Sequence, residues 1–519
     1  MATLSLAAIL AEPARRRPDR TALVEGELRL TFAELWEQAR AQAAALVGLG
    51  VGPGDRVALT APNTAEFPRA YYAILAAGGV VVPVHLLLSA GEVEHVLRDS
   101  GATLLLCHPA QAETGKAAAA ATGVRMLTLG GGGELDTLAG RVEPLPGYVT
   151  REAEDPAVVF YTSGTTGVPK GAVLSHLNLV MNATVCAFDA HDVRGDDIAL
   201  GALPLFHAFG QTVSMNATWR AGATLVLLPR FDAARAIELM AAEGVNTFHG
   251  VPTMYVNLVA AAATTPGLPA LRLAVSGGAS LPVAVMERFE EAFGVPVYEG
   301  YGLSETSPTA SANQPVFGTR AGSIGHPLWG VDVEIARAEV EDRIELLPTG
   351  ELGEVVVRGH NVFSGYLGRP EATAEAVVDG WFRTGDLGTK DADGFLAIVD
   401  RKKDVIIRGG FNVYPREVEE VLMRHPDVAH VAVIGLPDDV HGEEICAVVV
   451  AAPGSAPDAA QITEWSKEHL GRHKYPRRVE FTGELPLGPS MKILKRELRV
   501  TYSGAQSGGR PGRPGCGRP

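Results

Sequence analysis

Strand and helix signals alternate along the first 400 residues, and that rhythm restricts the fold more than any other property of the chain. DRVALTAP (from Asp55) reads as a strand, EFPRAYYAILAAGG as a helix, VVVPV as a strand, AGEVEHVLRDSG as a helix and ATLLLC as a strand. The rhythm returns at ATLVLLP, FDAARAIELMAAEG and VNTFHGV, and again at RLAVSGG, SLPVAVMERFEEAFG and VPVYEGYG. Repeated β-α-β-α order predicts a largely parallel α/β architecture. From about Glu351 the pattern turns β-rich (GEVVVRG, GFLAIVDR). After Arg401 a third layout begins: a short hairpin, a capped amphipathic helix and a strand. A chain of 519 residues is too long for one core, so two or more domains are expected. The Ala117–Ala121 and Gly130–Gly133 runs read as a surface helix and a loop without chemistry. The Gly/Pro/Arg-rich stretch from Ser503 onward reads as disordered.

Within this frame one loop stands out. AVVFY (Ala157–Tyr161) reads as a buried strand and runs into YTSGTTGVPKG, which ends at Gly171. Hydroxyls and bare backbone N–H groups donate hydrogen bonds, and glycine lets the backbone approach a ligand closely. Such a loop suits an anion with several oxygens, phosphate above all. Gly/Ser/Thr clusters are more often plain surface loops. Against that stand the buried strand before it and Lys170, the one charge among uncharged neighbours. It is not a Walker loop, because Gly171 follows Lys170.

Four further segments carry chemistry. YEGYGLSET (Tyr298–Thr306) places Ser304 and Glu305 in a turn after a strand; beside a polyphosphate, Glu305 is a natural Mg²⁺ ligand. WFRTGDLG (Trp381–Gly388) puts Asp386 at a Gly-flanked turn, where a carboxylate can accept two ribose hydroxyls. VDRKKD supplies Arg401 and a charged stretch suited to an interdomain hinge. GPSMKILKREL supplies Lys492. Singly these are weak signals, and a solvated charge is the commoner meaning of each. Their order and spacing together are specific.

From about residue 10 to 500 the chain resembles the acyl-adenylate-forming superfamily of acyl-CoA synthetases, aryl-CoA ligases, luciferase and peptide-synthetase adenylation domains. The resemblance implies a large N-terminal domain (1–400) with two mostly parallel sheets between helices and a small β-barrel. A hinge at 401–403, a mobile α+β domain at 404–502 and a tail at 503–519 would follow. It also implies the reaction: a carboxylate attacks the α-phosphate of ATP, pyrophosphate leaves, and CoA thiolate takes the acyl group from the adenylate. Thr162, Ser163, Gly164, Thr165, Thr166, Gly167 and Lys170 would hold the outer phosphates. Ser304 would meet the α-phosphate, Glu305 Mg²⁺, Asp386 and Arg401 the ribose, and Tyr301 the adenine. Gly278, Ala279, Glu299, Gly300 and Gly302 would line the nucleotide site. Lys492 would bridge carboxylate and α-phosphate; the nearby Lys495 is the weaker choice, because the family's lysine directly precedes an Ile-Leu pair. Met491 stands where the family has glycine. Lys403 would be the hinge, and Gly409 and Gly410 would line the CoA path.

For the acyl pocket the expected residues are His207, Met215, Val251, Met254 and Gly277. Apart from Arg220 these segments carry no cation, and Glu299 stands where malonate-type ligases carry arginine, so a neutral tail is expected. The wording is most similar to medium- and long-chain fatty-acid ligases, with an aryl acid such as a cinnamate as the next choice. A stand-alone enzyme loading a carrier protein is the third reading.

Charge and cysteines exclude other classes. The formal charge of -15, without a dense basic stripe, argues against nucleic acid as partner. Cys107, Cys186, Cys446 and Cys516 show no metal spacing and fit a reducing compartment. No export signal or spanning segment is evident. A cytoplasmic enzyme, monomeric or homodimeric, is expected.

Overall fold

The structure, a computed structural model, describes residues 2–162, 169–488 and 493–503. Two compact units emerge: one runs through Thr384 and includes Gly388–Ile398, and the other comprises Gly385–Leu387 and the chain from Val399 onward.

Among the described residues the first unit builds two large sheets. One has seven strands in the order Gly365–Tyr366, Lys170–Ser175, Pro156–Thr162, Val80–Pro83, Arg56–Thr60, Leu104–Cys107, Arg125–Thr128. Its middle is parallel and its Lys170 edge antiparallel. Runs such as VVVP and LLLC are buried throughout, as strands covered on both faces must be. The crossover helix Ala90–Ser100 starts at a Ser89–Glu92 capping box and stops at Gly101, whose φ of 60° suits glycine.

The other large sheet has nine strands, with Val297–Gly302, Leu273–Ser276, Thr247–Gly250, Ile198–Gly201 and Thr224–Leu227 side by side and parallel. The α/β alternation of the sequence is thus realised twice. A smaller curled sheet includes the antiparallel pair Val331–Ala336 and Gly353–Gly359. The main core gathers Tyr71, Tyr72 and Trp219, all fully buried. Their polar atoms are satisfied where they lie: Tyr72 Oη donates to Asn216 Oδ1 at 2.7 Å and Trp219 Nε1 to the Ala22 carbonyl at 2.9 Å.

The second unit centres on a long hairpin, Val428–Asp438 with Gly442–Ala451, flanked by Ile406–Arg408 and Arg478–Phe481. Three sequence expectations need correction. The helix Pro415–Leu422 has no side-chain cap; it starts on Pro415, whose fixed φ suits a first helical position. Ser503, counted with the tail, ends the helix Lys495–Ser503. Asp386 lies inside the ten-residue strand Trp381–Lys390, not at a turn: the segment is rich in aromatic and β-branched residues, and Gly385 absorbs the irregularity with a φ of 72°. Among the described residues no helix is long and apolar enough to cross a membrane.

Candidate active site

The strand Pro156–Thr162 pairs with Lys170–Ser175 so that Thr162 stands opposite Lys170 and Tyr161 opposite Gly171. Directly opposed residues of an antiparallel pair share a face. On the next strand Tyr366 stands opposite Ala172, two residues on from Lys170 and therefore on that same face. Thr162, Lys170 and Tyr366 are brought together by register alone.

Glu305 reaches them from the other sheet. The strand Val297–Gly302 ends in a short turn, Ser304–Thr306. A Cβ on Gly302 would fall on the Pro308 carbonyl oxygen, so only glycine permits this turn. Ser307 then takes a left-handed φ of 74° and its hydroxyl donates to the Asn361 carbonyl at 2.8 Å. Glu305 is buried, and two hydroxyls donate to one of its oxygens: Tyr366 Oη to Oε1 at 3.0 Å and Thr162 Oγ1 to Oε1 at 3.5 Å. Among the described residues no hydrogen-bond partner of Oε2 is found. Lys170 Nζ sits 5.3 Å from the centre of the Tyr366 ring. Burial first, and then the Glu305 carboxylate, push the Tyr366 phenol above its ordinary pKa, so it stays a donor.

Tyr366 had no signal in the sequence. It lies in SGYLG, a stretch without charge or periodicity, and only the strand register gives it a place.

Part of the expected nucleotide set, together with Gly277 of the acyl set, lies at neighbouring strand ends. Ser276 is in register with Glu299, which sets Gly277, Gly278 and Ala279 beside Glu299, Gly300, Tyr301 and Gly302. Glu299 is buried; Leu281 N donates to its Oε1 at 3.2 Å, and its carbonyl accepts from Asn313 N at 2.9 Å. Gly277 has the Phe209 ring against it, 3.1 Å from where a Cβ would stand. Phe209, absent from the expected set, opens a wide-turn helix (Phe209–Asn216) that follows His207. Val251 is buried at the start of the helix Pro252–Ala262, and Met254 is buried on that helix. Met215 lies in the main core cluster with Tyr72 and Trp219. Arg220 is spent elsewhere: Nε donates to Thr184 Oγ1 at 3.0 Å and the guanidinium lies over Phe188.

In the second unit Asp386 and Arg401 meet, Nε to Oδ1 at 2.9 Å, with Asp386 buried. Lys403 is exposed in the turn after the strand Leu396–Arg401. Gly409 and Gly410 form the tip of the Ile406–Val413 hairpin with φ of 56° and 83°, and Gly409 N donates to the His441 carbonyl at 2.8 Å. Lys495 is bound to Glu419 at 2.7 Å. Its burial works against the charge, but Glu419 and Asp400 more than offset this and hold its pKa above the ordinary value. Ser163, Gly164, Thr165, Thr166, Gly167 and Lys492 lie outside the described residues.

The buried Glu305 carboxylate, with one oxygen that has no partner among the described residues and beside a strand end that leads into a Ser/Thr/Gly loop, fits a magnesium ion. Mg²⁺ takes one or two protein carboxylates and completes its shell with phosphate oxygens and water.

The profile of the AMP-binding enzyme family matches residues 10–367, and that of the AMP-binding enzyme C-terminal domain matches 417–492. A feruloyl-CoA synthase of Amycolatopsis sp is 40% identical over 491 residues, 94% of this chain and 97% of its own. A long-chain-fatty-acid–CoA ligase of Bacillus subtilis is 36% identical over 528 residues, covering 95% and 94%. Among solved structures, ATP-bound MatB from Rhodopseudomonas palustris superposes with a TM-score of 0.88 at 34% identity, covering 96% of this chain and 99% of that one.

Proposed function

Since the chain belongs to the AMP-binding enzyme family, we propose that it is an ATP-dependent carboxylic acid–CoA ligase that works through an acyl adenylate. The acid attacks the α-phosphorus, pyrophosphate leaves with the P–O bond electrons, and CoA thiolate then displaces AMP from the acyl carbon. Charge accumulates on phosphate oxygens in the first step, so fixed cations and donors dominate catalysis. The observation that supports this most directly is the gathering of Thr162, Lys170 and Glu305 at one strand end. Lys170 and the hydroxyls of the Thr162 loop take the β- and γ-phosphates, Asp386 and Arg401 the ribose, and Lys492 the carboxylate and α-phosphate. Glu305 holds Mg²⁺, which when bound neutralises phosphate charge. Lys403 serves as hinge, and Gly409 and Gly410 line the CoA path.

The acid has a neutral, apolar tail. Glu299, a buried carboxylate at the strand end, supplies no cation there to hold a second acid group. We favour an aryl acid of the cinnamate type, on the ground that an aromatic wall, Phe209, lies against the bare Gly277 backbone. Feruloyl-CoA synthase relatives agree with that tail. The fatty-acid ligase relatives support an alkyl chain as the second reading. With an alkyl tail, affinity rises by ~0.8 kcal/mol per methylene until the pocket is full.

A panel of ferulate, cinnamate, benzoate, malonate and C4–C16 fatty acids, with ATP, Mg²⁺ and CoA, decides by AMP release. Cinnamates ahead of every fatty acid are expected. A steady climb from C4 to C12 with cinnamates inert would give the site to fatty acids, and malonate as best substrate would overturn the neutral tail altogether.

A further inference from the structure

We propose that Tyr366 is a positioning residue for adenylation: its hydroxyl fixes Glu305 and its ring seats Lys170, so that one side chain sets both the metal-holding carboxylate and the phosphate-holding cation. This rests on the adenylating reading above and adds a residue to it.

The segment Phe363–Tyr366 grips Glu305 twice. Phe363 N donates to the Glu305 carbonyl at 2.9 Å, and Tyr366 Oη donates to its carboxylate Oε1 at 3.0 Å. Backbone and side chain of one residue are thus held by the same short stretch. That stretch is itself anchored. Gly365 and Tyr366 pair with Val173 and Ala172, Tyr366 N donates to Thr373 Oγ1 at 2.9 Å, and Thr373 Oγ1 donates on to the Arg369 carbonyl at 2.9 Å. The Phe363 ring braces the Tyr366 ring edge-on, with centres 4.8 Å apart. A tyrosine held at its backbone, its ring and its hydroxyl has one rotamer to occupy.

The choice of oxygen matters. Both hydroxyls, from Tyr366 and Thr162, converge on Oε1. A carboxylate tethered through one oxygen presents the other in a fixed direction, which suits a cation that takes a single carboxylate oxygen and completes its shell with phosphate. Ring and hydroxyl also divide the work. The ring face attracts the Lys170 ammonium. The contact found for the Lys170 ammonium among the described residues is this ring, which leaves its charge available to a ligand.

The test separates hydroxyl from ring. Tyr366→Phe keeps the ring and removes the bond to Glu305; Tyr366→Leu removes both. Mn²⁺ binding in the presence of a non-hydrolysable ATP analogue, followed by electron paramagnetic resonance, reads the metal site without turnover. Tyr366→Phe should weaken Mn²⁺ binding by about 10- to 100-fold, the usual consequence of losing a group that orients a metal ligand. It should raise the Mg²⁺ requirement of pyrophosphate release in parallel and leave thioester formation from supplied acyl-AMP and CoA at the wild-type rate. Tyr366→Leu should in addition raise the KM for ATP. Because Tyr366 acts through Glu305, adding Tyr366→Phe to Glu305→Gln should weaken Mn²⁺ no further. Mn²⁺ bound by Tyr366→Phe as by wild type, or effects of the two substitutions that simply add, would overturn the proposal. Failure of the wild type to release pyrophosphate with any acid would instead sink the adenylating reading, and the Mn²⁺ comparison would still decide on Tyr366.

Discussion

At the scale of single residues, the candidate site depends on two groups of opposite charge. Glu305 is buried with one oxygen bound by two hydroxyls, and Lys170 stands in register with Thr162 at the adjacent strand end. Removing one preorganised group at a site of developing charge typically costs ~10²–10³ in rate. Glu305→Gln and Lys170→Ala should each lose pyrophosphate release by about that factor. Circular dichroism should match the wild type: the amide oxygen introduced by Glu305→Gln can still accept from Tyr366, and Lys170 is half-exposed. Near-normal pyrophosphate release by either folded variant would assign that residue to structure. Both residues were legible in the sequence because they break a local pattern: a lone cation among hydroxyls, a lone carboxylate after YGLS. Tyr366 and Phe209 were not. Each is an ordinary aromatic beside ordinary neighbours, and its position follows from strand pairing or from contact with a distant glycine, which no local pattern encodes.

At the scale of elements, the strand and helix runs that the sequence marks in the α/β layers are realised, since buried parallel strands are short apolar runs and crossover helices are amphipathic, but the helices Phe32–Gly48 and His176–Val185 and the strand Ile198–Gly201 were not read from it. Departures occurred where a local preference competed with pairing, as at Asp386, where a glycine-flanked segment stays in a strand. One strand carries a cost that composition does not reveal. In Thr247–Gly250, His249 is fully buried near His191, with ring centres 6.3 Å apart, and among the described residues none of their ring nitrogens has a partner. Burial pushes His249 down to about 3, with a smaller push from His191, and burial alone pushes His191 to about 4, from an ordinary 6.5. A depressed histidine is neutral in the folded chain and protonated in the unfolded one below pH ~6.5. The unfolded state therefore binds more protons there, and stability is full above that pH and falls as pH drops toward 3–4. Each such group contributes a slope of ~1.4 kcal/mol per pH unit. His249→Leu should remove one of these slopes and leaves no unpaired ring nitrogen at that position. Urea unfolding should then show a loss between pH 7 and pH 5 that is smaller than the wild type's by about 2 kcal/mol. Parallel pH profiles for the two proteins would show that His249 does not carry the acid sensitivity.

At the scale of the whole molecule, two compact units part close to the charged DRKKD stretch, which the sequence marks by a change from α/β rhythm to a hairpin–helix–strand layout. The order of the motifs along the chain made the organisation legible; how two half-reactions share a site is a question of motion, which a motif does not contain. On the proposed reading, Lys492 stands at the α-phosphate during adenylation, and thioester formation then needs the same region open to the long pantetheine arm of CoA. A lysine fixed at the α-phosphate would obstruct that second entry. We therefore expect the second unit to turn about Lys403, withdrawing Lys492 and bringing the Gly409–Gly410 tip to the acyl adenylate. Their left-handed φ values favour glycine, glycine leaves the tip without side chains, and a Cβ on Gly410 would meet nothing within 4 Å, so the backbone there is open to a narrow ligand. Two variants pull the steps apart. Lys492→Ala should lose pyrophosphate release yet convert supplied acyl-AMP and CoA to thioester at close to the wild-type rate. Lys403→Pro, which fixes φ at the turning residue, should do the reverse: a burst of pyrophosphate, adenylate accumulating on the enzyme, and thioester formation slowed by about tenfold or more, the weight of ~1.4 kcal/mol in a barrier. The measurement is rapid-quench detection of acyl-AMP and acyl-CoA in a single turnover. Equal loss of both half-reactions in both folded variants would show that these two lysines do not divide the cycle between them.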